Sequence, residues 1–166
     1  LKGQGAPIGK SLCEDDFVEK TSKWMESGKI LLAIDSVVAN NFDSEETSIT
    51  DSIADDQAGF DIGPNSIEIF NKVISDAETI LWNGPMGVFE KPQFAAGTQA
   101  IGKAVADSSA FSVVGGGDSV AAIREMNLED KIDHVSTGGG ATLEYIETGS
   151  LVGVDALINS QNKKEN

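Results

Sequence analysis

The sequence has little of what several classes of enzyme need. Its 166 residues include one cysteine, Cys13, and one histidine, His134. A single cysteine cannot form an internal disulfide, and the absence of disulfides is typical of a reducing compartment such as the cytoplasm. One thiol and one imidazole are also too few for a zinc site and a poor basis for thiol catalysis. These two absences argue against a disulfide scaffold, a zinc centre and a cysteine nucleophile.

Basic residues and long apolar runs are scarce as well. Eleven lysines and one arginine stand against 27 acidic residues, which gives a net charge of −15. Nucleic acids and anionic membranes both attract basic surfaces, so this charge argues against either as a partner. No apolar run approaches the ~20 residues that span a bilayer, and no secretory signal opens the chain. The length and the 40% hydrophobic content are typical of one soluble globular domain.

Apolar periodicity divides the chain into alternating helices and strands. It predicts helices over 14–27, 63–77 (with Asn65 as N-cap), 93–106, 118–126 and 141–147. It predicts strands over 29–39, 79–82, 111–114 and 133–137, and an acidic loop or short hairpin over 40–58. This alternation favours a Rossmann-like, three-layer αβα fold with a mostly parallel sheet and helices on both faces. Ligands of such sheets bind beyond the carboxyl ends of the strands.

Two segments repeat the order strand, triple glycine, helix. They are "VVGGGDSVAAI" from residue 113 and "VSTGGGATLEYI" from residue 135, with the glycines at 115–117 and 138–140. The first amides of a helix have no partner within it and carry partial positive charge, and glycine lets an oxyanion approach them. One such turn can be a plain tight junction. Two side by side predict a phosphate site at which two helix N-termini meet.

Asp118 follows the first glycine turn directly and places a negative charge where an anion is expected. One interpretation is a helix N-cap, a position at which aspartate is strongly preferred. The other is a dication between the carboxylate and the phosphate, since Mg²⁺ is usually bound through one or two carboxylates plus substrate phosphates. The second interpretation predicts a magnesium–nucleotide complex. Ser119 would then donate its hydroxyl to a phosphate or join the cap.

The stretch "LWNGPMGVFE", residues 81–90, is another candidate for ligand binding. A predicted strand ends there and the chain turns sharply at the Asn-Gly-Pro sequence of 83–85. Val88 and Phe89 offer apolar surface for a flat base, and Glu90 offers a carboxylate for ribose hydroxyls. The alternative is a β-turn with two core residues and a solvated acid.

Two common nucleotide fingerprints do not fit the sequence. A P-loop that ends in Gly9-Lys10-Ser11 requires glycine at position 4, which is Gln4, and no predicted strand precedes it. The dinucleotide pattern G-x-G-x-x-G/A fails after both glycine turns, because its last position falls on Val120 or on Leu143. The sequence therefore argues against an NAD-binding domain.

The segments "GFDIGP", "LWNGPMGVFE", "VVGGGDS" and "HVSTGGGATLE" occur in this order. Together they resemble the phosphoglycerate kinase family over residues 1–157. The resemblance implies a cytoplasmic, monomeric kinase of glycolysis that transfers phosphate reversibly between ATP and 3-phosphoglycerate, with Mg²⁺. It also implies two α/β domains, of which the N-terminal one binds phosphoglycerate and the C-terminal one binds magnesium nucleotide.

The resemblance implies a role for individual residues of these segments. Gly59 and Phe60 would contact adenine, Glu90 would hold the ribose, and Asp118 would bind Mg²⁺. The amides of Gly117 and Gly140 would meet the transferred phosphoryl group as the catalytic pair. The other nucleotide contacts implied are Asn83, Gly84, Pro85, Val88, Phe89, Gly115, Gly116 and Ser119.

Residues 1–157 are expected to form part of the C-terminal nucleotide-binding domain, and residues 158–166 a polar tail. The family's segment of the type "GGAKVSDK", its "GGGMA" turn and the phosphoglycerate-binding domain have no counterpart in the chain. We therefore expect a sheet truncated at its N-terminal side and a chain that cannot turn over alone. The rival hypothesis is a non-catalytic nucleotide-binding or purely structural remnant. Lys103, Arg124 and Lys131 flank neither glycine turn and are expected to be solvated.

Overall fold

Two three-stranded sheets, one antiparallel and one parallel, occur in the computed structural model, which describes residues 1–162. The antiparallel sheet has the order β2-β1-β3, and the parallel sheet has the order β4-β5-β6. The strands are β1 Ser36–Ala39, β2 Ser48–Thr50, β3 Ala58–Ile62, β4 Thr79–Asn83, β5 Phe111–Gly115 and β6 His134–Ser136. The helices are α1 Val18–Glu26, α2 Pro64–Ser75, α3 Ala96–Asp107, α4 Gly117–Glu125, α5 Gly139–Thr148 and α6 Val152–Asn162.

The parallel sheet consists of consecutive strand–helix units. β4 leads through α3 to β5, and β5 leads through α4 to β6. The register pairs Asn83 with Gly115 and Gly115 with Ser136, so the three strands end at the same level. This part of the molecule confirms the predicted α/β class. It also brings both glycine turns to the carboxyl edge of the sheet.

The hydrophobic core lies on one face of the parallel sheet. Trp82 and Val114, which are 5% and 0% exposed, stand at positions of the same parity in neighbouring strands and therefore share this face. The helices α3 and α4 pack against them with the side chains of Ile101, Val105, Val120 and Ile123. On the opposite face Leu81 is 40% exposed and Phe111 is 55% exposed. Helical cover of that second face is therefore less complete than the sequence predicts.

The apolar segment 29–39 differs from its prediction. Only Ser36–Ala39 is a strand, and it pairs antiparallel with β2 and β3 instead of joining the parallel sheet. Ile30, Leu31 and Ile34 precede it without regular structure and are 41%, 49% and 52% exposed. The acidic connection that follows β1 forms a short hairpin, as expected, and places β2 and β3 on either side of β1. The prediction of one long buried strand is therefore wrong.

A carboxylate from a distant part of the chain caps α2. The sequence predicts Asn65 as the N-cap, but the N-cap residue is Gly63 and the helix begins at Pro64. Asp35, which is 5% exposed, accepts hydrogen bonds from the amides of Asn65 (3.0 Å) and Ser66 (2.8 Å) and from the Ser66 hydroxyl (2.6 Å). Burial pushes the pKa of Asp35 upward, but these hydrogen bonds outweigh it and hold the pKa below its usual value. The antiparallel sheet is thereby fixed to α2.

The helices α5 and α6 end the described chain. Gly149 follows α5 in the left-handed conformation, with φ of 71°, and α6 then runs through residue 162. The expected division between residues 157 and 158 therefore falls inside a helix, and residues 163–166 of the expected tail lie outside the described residues. Within residues 1–162, no helix has both the length and the apolar character needed to cross a membrane.

Replacing Asp35 with alanine should lower the free energy of unfolding by about 1–2 kcal/mol, because α2 loses its capping acceptor. Asp56→Ala, at an exposed turn position, is the control and should change this free energy by less than about 0.5 kcal/mol. Urea denaturation at pH 7 measures both variants. Because folding lowers the pKa of Asp35, its contribution is present above the unfolded pKa of about 3.9 and is lost as the pH falls through the folded pKa. Equal stabilities of D35A and the unaltered chain at pH 7 would contradict the capping role.

Candidate functional site

The two glycine turns touch each other at the carboxyl edge of the parallel sheet. A Cβ atom on Gly139 would lie 2.5 Å from the nitrogen of Gly116 and 2.6 Å from its Cα. Only a hydrogen fits in that space, so the close approach of the two turns requires glycine at position 139. Gly116 has a φ of +90°, which also favours glycine. The prediction that the two strand–glycine–helix units lie side by side is confirmed.

Asn83 lies against both turns from the end of β4. Its Oδ1 atom is 2.7 Å from the position that a Cβ on Gly116 would occupy, and equally far from that of a Cβ on Gly139. For Gly115 the corresponding distance is 3.6 Å. The ends of β4, β5 and β6 therefore form one site rather than three separate turns.

The helices that follow the two turns begin without a side-chain cap. Gly116 is the N-cap residue of α4 and Gly138 is that of α5, and no side-chain hydrogen bond caps either helix. The carbonyls of these two glycines accept the first helical bonds, at 3.0 and 2.9 Å. The amides of residues 117–119 and 139–141 therefore have no acceptor within their own helices.

Gly117 and Gly140 border open space. A Cβ atom built on either residue would meet no heavy atom within 4 Å beyond the chain around it. Both residues are exposed. The N-termini of α4 and α5 thus present amides with partial positive charge to the same open edge of the sheet. This arrangement suits an anion with several oxygen atoms.

Asp118 does not cap α4. It is the second residue of the helix, it is exposed, and the N-cap residue is Gly116. The N-cap interpretation of this carboxylate is therefore wrong. Its exposed oxygen atoms are hard ligands of the kind that Mg²⁺ prefers, so the residue present fits such an ion. Among residues 1–162, no group of three or more histidine, cysteine or acidic side chains forms a ready metal site.

Ser119 is buried beneath the first glycine turn. It is 0% exposed, and its Oγ accepts a hydrogen bond of 2.6 Å from the amide of Gly84. Gly84 has a φ of +107°, and its carbonyl accepts a hydrogen bond of 2.7 Å from Trp82 Nε1. The oxygen of Ser119 thus ties the chain after β4 to α4. A contact between its hydroxyl and a phosphate stays a prediction.

The loop 84–88 uses its backbone donors within the protein. Pro85 has no donor, the next two amides donate to Thr98 Oγ1 at 3.1 and 3.2 Å, and the amide of Val88 donates to the carbonyl of Phe60 at 2.9 Å. With the bond from Gly84 to Ser119, every N–H of this loop has a protein acceptor. The loop can therefore form a wall of the site, but it offers no free amide to a phosphate.

Gly59 and Phe60 lie in β3, on the far side of loop 84–88 from the glycine turns. Both line a cavity of about 460 Å³, together with Ile53 and Met86. The ring of Phe60 packs on that of Phe94 with 4.8 Å between centroids. The cavity is lined by both apolar and polar residues, and its volume lies in the range of small-molecule sites.

Asp61 fixes β3 to the beginning of α3. It is 5% exposed and accepts hydrogen bonds from the amides of Gly97 (2.7 Å) and Ile62 (2.8 Å). A Cβ atom on Gly87 would collide with its carboxylate. Burial raises the pKa of Asp61, and the two amide hydrogen bonds offset this only in part. This carboxylate therefore lies where β3, loop 84–88 and α3 meet.

The structure separates the three residues that end the stretch 81–90. Val88 bonds to Phe60, next to the larger cavity. Phe89 lines a different cavity of about 230 Å³ between α3 and α4, with Thr98 and Ala122. Glu90 is exposed at the end of the loop. Val88 and Phe89 therefore lie in different surroundings, and the contact of either with a base stays a prediction.

The basic residues around α3 and α4 lie on the surface. Arg124 bonds to Glu129 and Lys131 bonds to Asp107, each at 2.8 Å, with all four side chains 42–57% exposed. Ion pairs of this kind contribute little to stability because water and salt screen them. Lys103 is exposed as well. The expectation that these three cations are solvated is confirmed.

Sequence reasoning missed Thr98 and Asp61. Asp61 stands inside the segment "GFDIGP", directly after two residues that the sequence did single out. Thr98 gives a weaker signal, because a threonine in the first turn of a helix is common. Its partners lie 11 and 12 residues earlier in the chain, so only the folded structure reveals its function.

The fold and the site define an α/β protein in which two uncapped helix N-termini meet at the carboxyl edge of a parallel sheet. The family model for phosphoglycerate kinase matches residues 1–149. The phosphoglycerate kinase of Lactobacillus delbrueckii subsp. bulgaricus is 48% identical over 159 residues, which cover 93% of this chain and 40% of that protein.

Solved structures of phosphoglycerate kinases share the fold. That from Coxiella burnetii has a TM-score of 0.85 and 41% identity, over 93% of this chain and 42% of its own. That from Pyrococcus horikoshii OT3 has a TM-score of 0.75 and 32% identity, over 90% of this chain and 38% of its own. The chain belongs to the phosphoglycerate kinase family. It spans about 40% of the length of the curated relatives that it matches.

Gly139→Ala and Gly140→Ala compare two positions of one turn, of which only position 139 is in close contact with Gly116. The added methyl at 139 must displace the backbone of Gly116, and overpacking of this kind costs about 1–3 kcal/mol of unfolding free energy. The methyl at 140 meets no atom, so stability should be unchanged or should rise by up to about 1 kcal/mol, because alanine is the better helix former. Urea denaturation measures both. Equal destabilisation would contradict the contact between the turns.

Proposed function

We propose that this chain supplies the magnesium–nucleotide half of a phosphoglycerate kinase. The complete enzyme transfers a phosphoryl group reversibly between ATP and 3-phosphoglycerate, with 1,3-bisphosphoglycerate and ADP on the other side of the reaction. One observation carries the proposal: the contact between Gly139 and Gly116 sets two uncapped helix N-termini side by side. Family membership supports the reaction, and the geometry supports the place where the polyphosphate binds.

The glycine turns would bind the phosphates. Gly115, Gly116 and Gly117 would receive phosphate oxygens at the start of α4, and the amides of Gly117 and Gly140 would meet the phosphoryl group that moves. Neither amide has an acceptor within its own helix, and a Cβ atom on either residue would meet no heavy atom within 4 Å, so there is room for an oxyanion beside both turns. Fixed amide dipoles that point at the developing negative charge are the kind of stabilisation that phosphoryl transfer needs.

Asp118 would hold Mg²⁺ beside these phosphates. Its carboxylate caps nothing and is exposed in the first turn of α4. When bound, the ion would neutralise phosphate charge and fix the geometry of the oxygens. The carboxylate would then not repel the polyphosphate, although the whole chain carries a net charge of −15. Ser119 would donate its hydroxyl hydrogen to a phosphate while its oxygen keeps the bond from Gly84.

Loop 84–88 and β3 would bind the nucleoside. Gly59 and Phe60 would contact adenine in the cavity that they line, and Glu90 would accept hydrogen bonds from the ribose hydroxyls. The remaining nucleotide contacts proposed are Asn83, Gly84, Pro85, Val88 and Phe89, of which Phe89 lines the separate cavity between α3 and α4. The amides of the loop already donate to acceptors within the protein, which supports this assignment. A wall without free donors suits a base and a sugar better than a phosphate.

The chain would not turn over alone. Its cations around α3 and α4 are ion-paired or exposed on the surface, whereas phosphoryl transfer requires positive charge around the equatorial oxygens. The 3-phosphoglycerate site would lie in the part of the longer family members that this chain does not span. We assign the complete enzyme to the cytoplasm, as a monomer, on the family resemblance.

Calorimetric titration with Mg-ADP tests this half-site. The unaltered chain should bind in the micromolar range with Mg²⁺ and more weakly with EDTA. Asp118→Asn should weaken Mg-ADP binding by about tenfold or more, the usual loss when a metal site loses a partner, and should not weaken binding in EDTA, where the carboxylate only repels the phosphates. Glu125→Gln removes an exposed acid at the other end of the same helix and serves as the matched control.

Two results would contradict the proposal. No heat with Mg-ADP would mean a structural remnant, and equal binding by D118N and the unaltered chain would exclude Asp118 as the ligand of Mg²⁺. A coupled assay on the same sample should give no ATP-dependent phosphorylation of 3-phosphoglycerate. Normal turnover there would show that the chain is catalytically complete.

A further inference from the structure

Thr98 holds the middle of loop 84–88 through two backbone amides. It lies in the first turn of α3 and is 1% exposed. Its Oγ1 accepts hydrogen bonds from the amides of Met86 (3.1 Å) and Gly87 (3.2 Å). One buried oxygen therefore fixes two successive peptide groups of the loop.

A buried carboxylate fixes Thr98 in turn. Asp61 of β3 accepts a hydrogen bond of 2.7 Å from the amide of Gly97, the residue before Thr98. The same carboxylate lies so close to Gly87 that no side chain fits at that position. The loop and the start of α3 are therefore held against one common partner, which sets the position of the Thr98 hydroxyl.

The two ends of loop 84–88 are attached to opposite parts of the candidate site. The amide of Gly84 donates to Ser119 Oγ beneath the first glycine turn. The amide of Val88 donates to the carbonyl of Phe60 beside the cavity in β3. The loop therefore spans the distance between the place assigned to the phosphates and the place assigned to the base, and Thr98 is bonded to its centre.

We propose that Thr98 is a positioning residue for the nucleotide. Its hydroxyl sets the conformation of loop 84–88, and through the loop it sets the spacing between Phe60 and the free amide of Gly117. Thr98 itself does not touch the ligand. The inference rests on the proposed function, because this spacing matters only when one molecule occupies both places. A nucleotide joins base and phosphate by covalent bonds, so a displaced loop must weaken one of its two sets of contacts.

Three variants of α3 isolate the hydroxyl from the stability of the helix. Thr98→Val keeps the shape of the side chain and removes the acceptor, which leaves two inward-facing amides without a partner. Thr98→Ser keeps the oxygen and removes only the methyl. Ile101→Val, one turn further along α3, removes a methylene group from the core against which Met86 also packs, and it leaves every hydrogen bond of the loop in place.

Calorimetry with Mg-ADP on the full chain compares these variants, with urea denaturation to measure their stabilities. T98V should raise the Kd by about tenfold or more, since misplaced contacts are costly in a preorganised site. T98S and I101V should bind within about twofold of the unaltered chain, because both keep the acceptor on α3. A purely structural role would instead let affinity follow stability, so that I101V and T98V weaken binding alike.

Amide hydrogen exchange gives a readout that does not depend on the ligand. In the unaltered chain the amides of Met86 and Gly87 should be protected, and in T98V they should exchange faster while core amides such as that of Val114 keep their protection. If T98V does not fold, the exchange rates of these two amides in the unaltered chain still test the proposal. Exchange of Met86 and Gly87 at the rate of exposed loop amides would overturn the proposal.

The unaltered chain also separates the two hypotheses. If it binds Mg-ADP and T98V binds equally well, the positioning role is overturned and the proposed function stands. If the unaltered chain does not bind Mg-ADP, the proposed function itself fails, and the role of Thr98 in nucleotide binding fails with it. If T98V binds Mg-ADP more weakly while T98S binds it as tightly as the unaltered chain does, the proposed function and the positioning role of Thr98 are both supported.

Discussion

The close approach of Gly139 to Gly116 is the contact on which the rest of the site depends. Because β5 and β6 are adjacent and parallel, the turns that follow them meet at one edge of the sheet. A side chain at position 139 would push the turns apart, and the N-termini of α4 and α5 would no longer present their amides to one ligand. The core beneath, from Trp82 to Ile123, keeps α4 in place.

Buried polar side chains, rather than salt bridges, fix the chain around this contact. Asp35 fixes α2 to the antiparallel sheet, Asp61 fixes α3 to β3, and the hydroxyls of Ser119 and Thr98 hold the loop between them. Each acceptor satisfies amides that are buried or partly buried, and the loss of such a partner is costly. The exposed ion pairs, by contrast, are screened by water. As a consequence, loop 84–88 has no free N–H donors, whereas the neighbouring N-termini of α4 and α5 do have them.

Much of this arrangement could be predicted from the sequence. The spacing of "GGGD" and "GGGA" after short aliphatic runs predicted two adjacent turns, and the periodicity predicted α1 to α5 to within a few residues but not α6. Segment 29–39 failed because aliphatic composition alone does not distinguish a strand of a parallel sheet from one that a hairpin pairs antiparallel. The partners of Asp35 and Thr98 could not be foreseen, since their bonds join residues 30 and 12 positions apart, and local patterns carry no such information.

The most direct test of the account is an amide NMR titration of the chain with ADP, with and without Mg²⁺. The amide signals of Gly117 and Gly140 should shift together and saturate in the presence of Mg²⁺, and both shifts should weaken in EDTA. Shifts confined to other parts of the chain, with the amides of Gly117 and Gly140 unchanged at saturation, would contradict this account.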